Sequence, residues 1–99
     1  MSYRVRYTAE ARADLLRLYA FLLERDAPAA RRALDAIRKA ADMLESFPFT
    51  CRKVEPHNAY LRELVVSFGD AGYVALFEIE DEHTVTILAV RHQREDDYH

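Results

Sequence analysis

The residues best equipped for chemistry sit near the end of the chain, in Ala89-Val90-Arg91-His92-Gln93-Arg94, with Tyr98 close behind. Arginine offers a planar donor fork for phosphate or carboxylate, and histidine or tyrosine can move a proton. Arg62, within Leu61-Arg62-Glu63-Leu64, falls on a neighbouring strand pattern. Together Arg62, Arg91, His92, Arg94 and Tyr98 could surround a phosphate. The same residues have a structural reading, in which Arg91 and Arg94 pair with Glu63, Glu78, Asp96 or Asp97. Residues 51–99 hold 5 basic and 10 acidic residues, so carboxylate partners are abundant.

Other chemistries find little support. His57, His83, His92 and His99 lack the i,i+4 helical spacing of a zinc protease, and one cysteine, Cys51, excludes an internal disulfide or a paired-thiolate zinc site. Two glycines cannot build a phosphate-cradling loop. No metal and no cofactor is expected. The formal net charge is −3, from 14 Lys plus Arg and 17 Asp plus Glu. That argues against a uniformly basic coat for nucleic acid. Residues 1–50 carry 9 basic and 7 acidic residues, so the acidity lies in the second half.

These side chains need elements to hold them. At 99 residues with 51% hydrophobic content, the chain is long enough for one domain, residues 1–99. It starts without the apolar segment of a signal peptide and has no apolar run long enough to span a bilayer, so a cytoplasmic protein is expected. Tyr3-Arg4-Val5-Arg6-Tyr7 alternates as a strand does. Thr8 occupies an N-cap position before a helical pattern from Ala9 to Arg25. Ala11, Leu15, Leu18 and Leu22 mark its apolar face, broadened by Leu16, Tyr19 and Leu23. Asp14, Arg17 and Phe21 fall on the polar side, and an aromatic there suggests a partner anchor, unless the Phe49 loop or a terminus covers it.

Asp26-Ala27-Pro28 breaks this helix and starts a second, about Pro28 to Phe47. Its alanine-rich stripe predicts close packing as a helical hairpin. Phe49 to Asn58 reads as a loop. Strand patterns follow over Ala59–Phe68, Tyr73–Glu80 and Thr84–His92. Simple alternation in the last would put Val85, Ile87, Ala89 and Arg91 on one face, and Leu88, Val90 and His92 on the other. The expected architecture is α+β, in the order βααβββ, with the hairpin packed on a small, mainly antiparallel twisted sheet.

Thr8-Ala9-Glu10-Ala11-Arg12-Ala13-Asp14-Leu15, Ala59-Tyr60-Leu61-Arg62-Glu63-Leu64, Gly72-Tyr73-Val74-Ala75-Leu76-Phe77-Glu78-Ile79 and the closing Val85 to Tyr98 segment resemble the RelE/ParE superfamily. The likeness covers nearly the whole chain and looks closest to the ParE-like, plasmid-stabilisation branch. It implies a type II toxin neutralised by a cognate, ParD-like antitoxin. In the ParE-like branch the target would be DNA gyrase, with Arg91, His92 and Arg94 as target contacts. Antitoxin contacts are expected from Phe21, Arg17 and Asp14. In the RelE-like branch the protein would cut mRNA on the ribosome without a metal, and Arg62, His92 and Tyr98 match its site residues. An inactive domain that only binds an antitoxin is a third reading.

Overall fold

The computed structural model describes residues 2–69 and 71–93. Strand β1 (Arg4–Tyr7) leads into helices α1 (Ala9–Arg25) and α2 (Ala27–Asp42). Strands β2 (Arg52–Glu55), β3 (Asn58–Phe68), β4 (Ala71–Ile79) and β5 (Thr84–His92) complete the chain. The sheet order is β1-β5-β4-β3-β2. All neighbours are antiparallel except β1, which lies parallel to β5. The expected α+β hairpin-on-sheet architecture is present, with one strand more than expected.

Each helix begins where a side chain relieves its free N–H groups. Thr8 Oγ1 accepts from Ala11 N–H at 3.0 Å, and Asp26 Oδ1 accepts from Ala29 N–H at 3.1 Å. Pro28 fits in the first turn of α2 because its nitrogen has no proton to satisfy. α2 ends at Asp42, earlier than expected, and a 3-10 turn over Met43–Glu45 takes the chain on. The small residues Ala30, Ala33 and Ala41 are buried along α2, as close helix contact requires.

The core lies between the hairpin and one sheet face. Ala11 and Leu18 of α1 and Ala33, Ile37 and Ala41 of α2 meet Leu64, Val66, Tyr73, Ala75, Phe77, Val85, Ile87 and Val90. The run Tyr73-Val74-Ala75 is buried throughout, as a central strand demands. Among the described residues no helix covers the other sheet face.

Four expectations need correction. The expected Phe49–Asn58 loop contains a 3-10 turn, Pro48–Thr50, and the edge strand β2. All four β2 residues are exposed, so no alternation marks them. Leu16 and Leu23 do not widen the buried face of α1; they are 69% and 46% exposed. Among the described residues the Phe49 loop does not cover Phe21, which is 54% exposed with Arg25 stacked on its ring 3.8 Å from the centroid. Finally, β5 does not alternate cleanly: Leu76 faces Ala89 and Phe77 faces Ile87, so Leu88 is a bulge.

Gly72 on β4 has a steric role. A Cβ there would collide with the Val66 carbonyl group and approach Ser67 Cα at 3.2 Å, and both are backbone. Gly72→Ala should therefore cost about 2 kcal/mol, lowering the melting temperature by roughly 10 °C. Thermal denaturation followed by circular dichroism checks this, and an unchanged melting temperature would show that β3 and β4 can part without cost.

Candidate functional site

Helix α1 and the end of β5 are joined by hydrogen bonds that no sheet ladder supplies. β1 ends at Tyr7, opposite Ile87, and among the described residues no strand pairs with the rest of that β5 edge. The chain turns into α1 at this point. Thr8 N–H donates to the Ile87 carbonyl at 3.0 Å, and Thr8 Oγ1 donates to the Leu88 carbonyl at 3.2 Å. Six residues later along the helix, Asp14 Oδ2 accepts from Val90 N–H at 2.9 Å. Ala11 between them is fully buried and permits the close approach.

The bulge decides which way the last residues face. Val85 and Ile87 point to the helices, and after Leu88 the inward residues are Val90 and His92. His92 lies opposite Tyr73, and the two rings meet edge to face at 5.5 Å. Burial pushes the Tyr73 phenol up, further from ionisation. Arg91 lies opposite Val74 on the helix-free face, half-buried. Alternation grouped Arg91 with Val85 and Ile87, and the bulge reverses that grouping. Arg4 and Arg6 of β1 share the face of Arg91, because Val5 and Tyr7 are aligned with Val85 and Ile87.

Arg62 is elsewhere. It lies opposite Phe77, on the helix side of the sheet. Its Nε donates to the Ala59 carbonyl at 2.7 Å, and its Nη1 donates to the Phe49 and Cys51 carbonyls at 2.9 and 2.7 Å. The guanidinium also sits 5.2 Å from the Phe49 ring centroid. This is a clamp on the 3-10 turn and the start of β2. Along β4, Arg62 and His92 are four residues apart, about 13 Å, and they flank β4 on opposite sides, about 10 Å across. Arg62 and His92 are thus not brought together, while Arg91 faces away from both. Tyr98 and Arg94 lie outside the described residues.

The remaining candidates are on α1. Arg17 and Phe21 are exposed, and Arg17 Nη2 lies 3.8 Å from Asp14 Oδ1. Asp14 itself is only partly accessible, and its other oxygen holds Val90. Arg25 Nη1 donates to the Phe21 carbonyl at 3.0 Å, which fixes the guanidinium over the ring. The proposed Arg91–Glu63 pair meets a competitor, since Glu63 is engaged by Arg52 Nε at 2.8 Å. Burial pushes the Cys51 thiol up against the opposing pull of Arg62, which disfavours the nucleophilic thiolate. Among the described residues, no three His, Cys, Asp or Glu side chains converge on a metal position, and no helix is long and apolar enough to cross a membrane. Sequence patterns did not disclose Thr8 as a partner of β5, nor the exposed group Phe47, Phe49 and Tyr60, in which Phe49 and Tyr60 meet edge to face at 6.2 Å.

A helical hairpin on a mixed five-stranded sheet, with α1 tied to the last strand, defines the class. The fold is that of a solved chain from a chromosomal ParDE toxin–antitoxin system of P. aeruginosa, with a TM-score of 0.74 at 18% identity, covering 92% of this chain and 96% of that one. A chain of the RelBE2 toxin–antitoxin complex of Mycobacterium tuberculosis gives 0.61 at 29% identity, covering 93% and 99%. Residues 5–97 match the family model of the ParE toxin of type II toxin–antitoxin systems, and the chain belongs to that family. Toxin RelE3 of Caulobacter vibrioides is 38% identical over 85 residues, 86% of this chain and 88% of the relative. Toxin RelE1 of the same organism is 33% identical over 79 residues, covering 80% and 82%.

The Arg62 clamp makes a stability prediction. Arg62→Ala should cost about 1–2 kcal/mol and expose residues 49–58 to proteolysis. Arg62→Lys should recover only part, because one ammonium cannot reproduce the guanidinium's divergent donors. Urea denaturation and limited proteolysis report both effects. Full stability in Arg62→Ala would leave the arginine available for another role.

Proposed function

We propose that this type II toxin acts by binding DNA gyrase rather than by cutting RNA, and that a ParD-like antitoxin neutralises it. The observation that carries this reading is the engagement of Arg62. Its guanidinium donates to three backbone carbonyls, and it stands roughly 13 Å along the sheet from the row of His92. A ribosome-dependent nuclease needs its cationic and proton-transfer groups around one phosphate, and against rRNA it benefits from a strong basic excess. A net charge of −3 supplies none. On the gyrase reading, Arg91, His92 and Arg94 contact the target without transferring a proton. The RelE-like reading has its own support, because the two curated relatives are both named RelE toxins.

Purified toxin should inhibit gyrase supercoiling and should leave mRNA intact on programmed ribosomes. A-site cleavage that disappears in His92→Ala and Tyr98→Phe would reverse the choice.

Antitoxin binding is assigned to the exposed side of α1, where Phe21 is 54% exposed and Leu16 and Leu23 add apolar surface. Arg17 borders it and offers charge to an acidic partner side chain. Phe21→Ala should weaken the complex by more than ~1 kcal/mol with an unchanged melting temperature. Titration calorimetry with the antitoxin measures this, and full affinity would remove Phe21 from the interface.

A further inference from the structure

We propose that Asp14, with Thr8, is a positioning residue: it holds the bulge at Leu88 and thereby sets which sheet face Arg91 and His92 address. The functional half of this inference rests on the reading above, in which the end of β5 contacts the target.

A bulge leaves backbone groups out of register with the neighbouring strand. Here the unpaired groups turn toward the side where β1 has already ended. The Leu88 carbonyl and the Val90 N–H would be costly to bury unsatisfied. Thr8 Oγ1 satisfies the first and Asp14 Oδ2 the second. Neither residue touches Arg91 or His92 in these bonds, so both act through the backbone. Removing Asp14 takes away the acceptor that makes the bulged register affordable. The alternative register is regular alternation, in which His92 leaves the Tyr73 ring and Arg91 turns toward the helices. A one-residue slip moves every later side chain to the opposite face.

This account differs from an antitoxin-contact role for Asp14. Asp14 lies among helix residues facing out, yet one carboxylate oxygen is spent on β5. A contact role predicts weaker antitoxin binding with an undisturbed β5. A positioning role predicts a disturbed β5 end, whatever the antitoxin does.

The test uses the full-length chain as Asp14→Ala and Asp14→Asn variants. In the native protein, the His92 and Tyr73 rings are close enough for a nuclear Overhauser contact at 5.5 Å between centroids. Asp14→Ala should lose that contact while the protein still unfolds cooperatively, and gyrase inhibition should weaken about tenfold. Asp14→Asn keeps a carbonyl acceptor and should restore both. Should Asp14→Ala fail to fold, Thr8→Val removes the Leu88 partner and carries the same test, with Thr8→Ser as its rescue. A folded Asp14→Ala that retains the His92–Tyr73 contact overturns the inference, and so does a variant that loses only antitoxin affinity. If Arg91→Ala inhibits gyrase at full strength, the target reading falls. The ring contact then judges the placement by itself.

Discussion

The constraint on which the rest of this structure depends is the unpaired edge of β5. β1 covers that edge for four residues and then ends, but β5 continues to His92. Buried backbone groups cannot be left without partners, so something must take the place of a strand. The N-terminus of α1 does so. Thr8 both caps the helix and completes the Leu88 carbonyl, and Asp14 reaches the Val90 N–H from the next turn. The same contacts fix α1 on the sheet. Ala11, placed between the two polar residues, must be small because the helix lies against the strand there.

From that join follow the two faces of the molecule. The helix-side face holds the core and, at its end, the edge-to-face pair of His92 and Tyr73. The helix-free face presents Arg91 with Arg4 and Arg6. Arg62 belongs to neither group, because the Phe49, Cys51 and Ala59 carbonyls hold its guanidinium between the turn before β2 and the start of β3. Cationic residues that look equivalent in sequence therefore divide into a structural clamp at Arg62 and a half-buried strand end at Arg91. A phosphate-binding cluster built from all of them would require them to share a face, and they do not.

Much of the fold was legible. Helix α1 ran from Ala9 to Arg25 because Thr8 caps it and Asp26 begins the next helix. β5 was visible from Thr84 to His92 through its β-branched residues. What escaped has physical reasons. β2 is a charged edge strand, exposed throughout, so it has no burial period. The bulge at Leu88 comes from tertiary partners about eighty residues away in sequence, and a local pattern cannot contain it. Leu16 and Leu23 fit a helical apolar face in sequence, but the sheet buries only a narrower stripe of α1. Within the candidate site, position was legible and direction was not: Arg91 and His92 do lie at the end of β5, but on the faces opposite to those that alternation gives them.

Native-state amide hydrogen exchange at Val90 tests the central claim most directly. Among the described residues no strand pairs with the Val90 N–H on its side, and its protection depends on the Asp14 carboxylate. The account predicts exchange as slow as that of core ladder amides such as Ala75, close to the global unfolding limit. Rapid exchange at Val90, at the rate of a fraying strand end, would contradict it and would show that α1 does not seal the edge of β5.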